Sequence, residues 1–235
     1  MLSEGFGIML RRFERLPFDM QNEDVKRYYQ ILSKRRFSLF LKRVFDIFVS
    51  LGMLLLIGPV FLILAILIKL DSEGPVFFRQ VRVTQYGRRF KIFKFRTMVN
   101  NADKIGSLVT TKNDSRVTKI GSIIRSTRID ELPQLINILL GDMTFVGTRP
   151  EVVKYVDRYT DEMKATLLLP AGVTSEASIS YKDEEKLLAD AENADDTYVN
   201  DILPEKMKYN LQAIEKFSII SDVKTMFRTV LAVLR

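Results

Sequence analysis

A chain of 235 residues, 47% hydrophobic and 28% charged, is long enough for one substantial domain and a smaller appendage. It contains no Cys and no His. That excludes disulfides, thiolate or imidazole metal sites, and Ser–His or Cys–His catalysis, and leaves a hard cation on oxygen ligands, Mg²⁺ first, as the metal to expect. The net charge of +7 is uneven, with 19 Lys/Arg against 9 Asp/Glu in residues 1–105 and 17 against 20 in residues 106–235, so the basic front half points to a polyanionic partner, nucleic acid or an anionic membrane surface.

Residues 1–33 are polar and mixed. From Glu23 the pattern predicts a helix that merges into an apolar run, with basic residues suited to anionic lipid head groups. Dimerisation and extra membrane contact are both expectations for this extension. Residues 47–68 contain no charge, which is about 33 Å of helix and long enough to span a bilayer. The run starts too late for a cleaved signal peptide. Lys34, Arg35, Arg36, Lys42 and Arg43 precede it, and Lys69, Arg79 and Arg82 follow, so both flanks prefer the same side. Gly58-Pro59 lies near its middle, where Pro removes a backbone donor and kinks a helix. A helix broken there could enter and leave by one face, with Ser50 or a neighbouring helix satisfying the freed backbone groups. Flank charge alone leaves a re-entrant and a kinked spanning helix both open.

Residues 71–98 change character. Gly74-Pro75 and Tyr86-Gly87 signal turns, and VFFRQVRV and RFKIFKFR alternate apolar and basic residues, which predicts two short strands as a hairpin. Leu132, Leu135, Ile136, Leu139 and Leu140 predict a helix stopped by Gly141-Asp142. Residues 151–168 read as another helix, and LPAGVTSEASISY as loop with some extended structure. The tail is helical with a break at Pro204, and its end is amphipathic, with Val223, Met226, Phe227, Val230, Leu231 and Leu234 on one face. The fold class expected is α+β: mainly helical, with a re-entrant membrane helix and a small β-hairpin. The division expected is an extension at 1–33, the membrane helix at 34–70 and a catalytic domain at 71–235.

The stretch TRIDELPQL, residues 127–135, sets Asp130 beside Glu131. Taken alone, Asp as an N-cap, Glu in the first turn and Pro133 make an ordinary helix start. The surrounding cations change the reading. Arg125, Arg128 and Arg149 can gather near a helix N-terminus, where an anion is favoured, and Arg forks suit phosphate. A carboxylate in such company is a poor base but a usable nucleophile, with Mg²⁺ offsetting repulsion from an incoming phosphate.

Three stretches, KRVFDIFVSLGMLLLIGPVFLILAILIKLDSEGPVFFRQVRV, KFRTM (94–98) and NDSRVTKIGSIIRSTRIDELPQLINILLGDMTFVGTRP (113–150), resemble the bacterial sugar transferases, the monotopic phosphoglycosyl transferases. The resemblance runs from about Lys34 to the C-terminus. It implies transfer of a sugar-1-phosphate from a UDP-sugar to a polyprenyl phosphate such as undecaprenyl phosphate, with release of UMP, at the cytoplasmic face of the bacterial inner membrane. It implies Asp130 as the nucleophile that becomes a phosphosugar ester. Glu131 would place Mg²⁺ with Asp130, and Lys94, Arg96, Arg125 and Arg149 would hold phosphates. It also implies a re-entrant helix broken at Gly58-Pro59, which favours that topology over the spanning one. Thr148 stands where the family's Gly-Pro-Arg-Pro turn has its first Pro, and Gly58 where Ser often precedes the helix Pro. The sugar is not legible, and its determinants are expected near residues 170–200.

Three other readings compete. A glycoside hydrolase needs carboxylates about 5–9.5 Å apart across a bond, which neighbours on one turn supply poorly. A non-catalytic membrane adaptor would explain the basic front and the apolar run but would not need Asp130, Glu131 or Arg149. Nucleic acid is not an expected partner, because the basic residues surround a bilayer-length segment and no recognition motif is present.

Overall fold

The computed structural model describes residues 10–102, 114–184, 188 and 193–234. In chain order the elements are α1 (Glu23–Ser33), α2 (Arg36–Asp71), β1 (Phe77–Val83), β2 (Arg89–Phe95), α3 (Lys119–Ser126), α4 (Gln134–Leu140), β3 (Met143–Val146), α5 (Val153–Val156), β4 (Ala171–Thr174), α6 (Glu176–Ser180), α7 (Ala194–Thr197), α8 (Leu203–Glu215) and α9 (Ile219–Leu234). The fold is α+β and mainly helical. Its sheets have two strands each: β1–β2 is an antiparallel hairpin and β3–β4 is a parallel pair.

α1 starts where Asn22 accepts a hydrogen bond from Val25 N and Glu23 and Asp24 face the positive end of the helix. Val25, Tyr28 and Leu32 form its buried face. α1 does not merge into the apolar helix. At Arg35 the backbone leaves helical angles (φ −116°, ψ 26°), and the guanidinium donates to the carbonyl of Phe217. Leu10, Leu16, Met20, Val25, Tyr28, Leu32 and Leu39 then share one core with Val83, Leu168, Leu203, Met207, Ile214 and Phe217.

α2 has 36 residues and carries one packed stripe and one exposed face. Phe45, Val49, Met53, Leu54 and Ile57 pack against Phe90, Ile92, Ile138, Met143 and Phe145. Phe61, Leu64 and Ile68 pack against Phe95 and Ile124. Leu55, Leu56 and Leu70 are 75–80% exposed, and the most apolar 18-residue window of α2 is 6% buried, so this is not the core helix of a soluble domain. Leu39 near its start and Val83 beyond its end lie in the same core. The two flanks of α2 therefore enter one folded body. Helical backbone continues across Gly58-Pro59, so any bend there lies within a helix and is not an interruption. Ser50 donates to the carbonyl of Ile47 and not to the backbone around Pro59.

The hairpin follows the alternation. Phe77 pairs with Phe95 and Val83 with Arg89, and on β2 Phe90, Ile92 and Phe95 are buried while Arg89 and Lys91 are exposed. Tyr86 (φ 58°) and Gly87 (φ 72°) turn it. Residues 151–168 do not form one helix. They hold only the four-residue α5 and a 3₁₀ segment, Met163–Leu168. Ala165, Thr166, Leu167 and Leu168 are all buried, and four consecutive buried positions cannot lie on one face of an α-helix. The loop expected at LPAGVTSEASISY contains β4 and α6. α9 is helical as expected, but its apolar residues divide. Met226 packs on the core, while Phe227, Val230 and Leu231 are exposed.

Candidate active site

The helix expected from Leu132 begins two residues later, at Gln134. Asp130 and Glu131 therefore sit in a 3₁₀ turn, Ile129–Glu131, and Asp130 is not an N-cap. Arg128 introduces this turn in the left-handed region (φ 54°, ψ 19°), with its side chain exposed. A non-glycine residue there costs about 1–2 kcal/mol. The backbone conformation, more than the charge of Arg128, aims the two acids.

The neighbouring carboxylates have opposite surroundings. Glu131 Oε1 accepts from Lys94 Nζ at 2.8 Å and from Arg149 NH2 at 2.7 Å. Burial alone would raise its pKa, but the Arg149 and Lys94 charges outweigh that and hold it well below the usual carboxylate range. Arg149 is raised in turn, chiefly by Glu131. Asp130 makes no hydrogen bond or ion pair with the side chain of another described residue. Its pKa is raised, first by burial and then by the adjacent Glu131, against the lowering pull of Lys94 and Arg125. The site thus holds one firmly ionised acid, paired through a single oxygen with two cations, beside one acid that has no side-chain partner and a raised proton affinity.

Lys94 comes from β2, opposite Phe78. Asn137, fully buried in α4, fixes that strand relative to the acids. Its Oδ1 accepts from Phe93 N at 2.8 Å, and its Nδ2 donates to the carbonyl of Lys91 and to Asp142 Oδ2. Arg149 comes from the turn after β3. Gly147 N donates to the carbonyl of Thr174, and Gly172 N to that of Thr148. A Cβ on Gly172 would lie 2.2 Å from the backbone N and O of Gly147, so this close approach requires glycine. Thr148, in place of the family's Pro, still presents its carbonyl to β4 and leaves Arg149 on Glu131. Arg125, in the last turn of α3, is close enough to bias Asp130 electrostatically.

Arg96 is placed elsewhere. It is 4% exposed, and its NH2 donates to the carbonyls of Ile68 and Ser72 and to Ser72 Oγ. It tethers the end of α2, and the structure does not bring it to Glu131. Its backbone N still donates to the carbonyl of Val76 at 2.9 Å, so it is the side chain, drawn to the carbonyls at the end of α2, that leaves the site. Among the described residues no group of three or more acids forms a cation cage. The dyad still suits Mg²⁺, which commonly takes one or two carboxylates and completes its shell with phosphate and water: Asp130 is open, and both cations on Glu131 occupy Oε1.

Sequence reasoning missed Arg82, Asn137 and Glu151. Asn137 was visible as an amide interrupting the apolar run of LINILL. Arg82 and Glu151 carried no signal beyond their neighbourhood to turn residues. Of the stretch expected to select the sugar, residues 185–187 and 189–192 lie outside the described residues.

The sequence pattern of the bacterial sugar transferase family matches residues 37–235. The chain belongs to the bacterial sugar transferase family. It is 36% identical over 198 residues to the UDP-N-acetylgalactosamine-undecaprenyl-phosphate N-acetylgalactosaminephosphotransferase of Aeromonas hydrophila, covering 83% of this chain and 44% of that protein. It is 39% identical over 195 residues to the UDP-glucose:undecaprenyl-phosphate glucose-1-phosphate transferase of Klebsiella pneumoniae, covering 80% and 39%. It is 44% identical over 123 residues to a Bacillus subtilis protein named as a putative undecaprenyl-phosphate N-acetylgalactosaminyl 1-phosphate transferase, covering 52% and 69%. The chain thus spans less than half the length of the first two relatives. Family membership places the Asp130–Glu131 turn, β2 and the Arg149 turn inside the matched region.

Proposed function

We propose that this chain is a polyprenyl-phosphate phosphoglycosyl transferase: it moves a sugar-1-phosphate from a UDP-sugar to undecaprenyl phosphate through a covalent Asp130 intermediate. The observation that carries the reading is the asymmetry of the dyad, with Glu131 paired to two cations through one oxygen and Asp130 open beside it. An unpaired, half-buried carboxylate beside a row of cations is placed to meet an electrophilic phosphate held by those cations.

The chemistry balances in two displacements. An Asp130 carboxylate oxygen attacks the sugar-bearing phosphorus, a P–O bond to UMP breaks, and UMP leaves with the electron pair. An oxygen of the lipid phosphate then attacks the same phosphorus, the acyl phosphate bond breaks, and the Asp130 carboxylate is restored. Arg149, Lys94 and Arg125 hold phosphate oxygens and neutralise the charge that develops on them. Asp130 and Glu131 would hold Mg²⁺, which supplies further charge neutralisation for the diphosphate. One site serves two dissimilar substrates in turn, so ping-pong kinetics are expected.

The exposed apolar face of α2 is proposed to lie in the bacterial inner membrane, entering and leaving by the cytoplasmic face with a bend at Gly58-Pro59. Anionic lipids meet the basic flanks. The relatives' names place N-acetylgalactosamine and glucose on different members, so several UDP-sugars belong in the test. Purified protein, Mg²⁺ and a panel of UDP-sugars are combined with undecaprenyl phosphate, and UMP is measured. Wild type releases UMP and gains phosphosugar mass on Asp130 when given donor alone. Asp130→Asn does neither, and full turnover by that variant would refute the mechanism.

A further inference from the structure

Glu151 has a 7% exposed carboxylate two residues beyond Arg149. Tyr198 OH donates to its Oε1, and Lys206 Nζ lies 3.7 Å from the same oxygen. Lys206 also donates to Tyr198 OH at 3.1 Å and to Glu184 Oε2 at 2.8 Å. The backbone is tied at the same place. The Glu151 carbonyl accepts from Val83 N at 3.0 Å, and the Pro150 carbonyl from Arg82 NH1 at 3.2 Å. On the other side of Arg149, Gly147 and Thr148 are bonded to β4. Arg149 is therefore the residue between two anchored pairs. One anchor comes from the chain's own sheet, and the other reaches Tyr198 and Lys206, about 50 residues away in sequence.

A buried carboxylate is costly, and a glutamine would accept from Tyr198 just as well. The charge answers a different need. Arg82 and Arg149 are close enough to oppose each other electrostatically, and Glu151 is the leading favourable charge on Arg82. With Lys206 as a third cation, the turn would be pushed open without an anion at its centre.

We propose that Glu151 is a positioning residue: its buried carboxylate, gripped by Tyr198 and Lys206, fixes the 147–151 turn and so aims the Arg149 guanidinium at Glu131 and at an incoming phosphate. The inference rests on the phosphate-binding role assigned to Arg149 above. It links the 198–206 segment, which makes no hydrogen bond or ion pair with either acid of the dyad, to the site.

The test is a double-mutant cycle on the full chain in bilayer nanodiscs, with inorganic pyrophosphate as the probe in calorimetry. Glu151→Gln weakens pyrophosphate binding by about 10- to 100-fold, the scale of an ångström-level misplacement. Arg149→Lys keeps a mobile point charge but loses the fixed fork. In that background Glu151→Gln costs less than about twofold, because a flexible lysine does not depend on turn placement. Equal losses in both backgrounds, or no loss in either, overturn the proposal, since a merely structural glutamate would act alike in both. If Glu151→Gln does not fold, Tyr198→Phe, which deletes one hydrogen bond and keeps the ring, carries the same cycle with the same expected pattern. Wild type that binds no pyrophosphate overturns the inference together with Arg149's anion role. Wild type that binds it but releases no UMP from any UDP-sugar overturns the proposed reaction alone.

Discussion

Replacing Glu131 by Gln removes the one charge shared by Lys94 and Arg149 and keeps the side-chain volume. The Lys94 contact is well enclosed, with side chains 22% and 17% exposed, whereas Arg149 is 38% exposed. A hydrogen bond to a charged group contributes about 1.5–3 kcal/mol when shielded, and an exposed pair about 0.5–1 kcal/mol. Together the loss is about 2–4 kcal/mol, or roughly 5–15 °C in Tm for a chain of this size. The pH dependence has a definite sign. Glu131 is depressed in the folded state, so its contribution is present above the unfolded carboxylate pKa, about 4.3, and is lost as pH falls through the folded value. Thermal melts of wild type and Glu131→Gln in the same detergent at pH 7 and pH 4 should show a gap that has begun to narrow at pH 4, with most of it persisting because the folded value lies well below that pH. No gap at pH 7, or one that widens at pH 4, would show that the two contacts do not hold the site together.

Gly172→Ala forces a Cβ against the backbone of Gly147. It is expected to cost about 1–3 kcal/mol in thermal melts and to reduce UMP release by displacing Arg149. Gly52→Ala, where nothing lies within 4 Å, is the control that should do neither. Asn137→Ala deletes three hydrogen bonds linking α4, β2 and Asp142 and leaves buried backbone groups unpaired. A loss of about 2–4 kcal/mol and faster amide hydrogen exchange at Phe93 are expected, and unchanged exchange would exclude Asn137 as the clamp on β2.

What the sequence disclosed was local. The hairpin was legible because Phe90 and Ile92 alternate with Arg89 and Lys91 and because Tyr86-Gly87 can take positive φ. The apolar helix was legible from length, and its same-side flanks from charge. The dyad and Arg149 were recognised by resemblance as one motif set, and folding brings Lys94, Glu131 and Arg149 into contact. What escaped depends on distant partners. β3 has only four residues, and its parallel mate lies beyond an intervening excursion of more than twenty residues. Residues 151–168 carry enough apolar positions to imitate a helix, but they are buried in succession by a core that no local pattern reveals. Arg96 looked equivalent to Lys94 because both are cations in KFRTM. Its partners, the carbonyls of Ile68 and Ser72 at the end of α2, are more than twenty residues away and leave no local signal.

The dyad also answers why the aspartate proposed as nucleophile should have a glutamate for a neighbour. Lys94 and Arg149 would pair with any free carboxylate within reach, and pairing with Asp130 would quench the group meant to attack. Glu131 takes both cations on a single oxygen, and each keeps further N–H donors for phosphate oxygens in the proposed reaction. It also places a negative charge beside Asp130 that raises the Asp130 pKa. Removing Glu131 should therefore act on Asp130 twice in the same direction: the repulsion disappears, and two cations become free to pair with it. The Asp130 pKa is expected to fall in Glu131→Gln, which a carboxyl-carbon NMR titration of aspartate-labelled protein measures directly, with Asp130→Asn assigning the resonance. A value that rises or stays in place would mean that burial alone sets the Asp130 pKa, and that Glu131 does not shield the nucleophile from its own counter-ions.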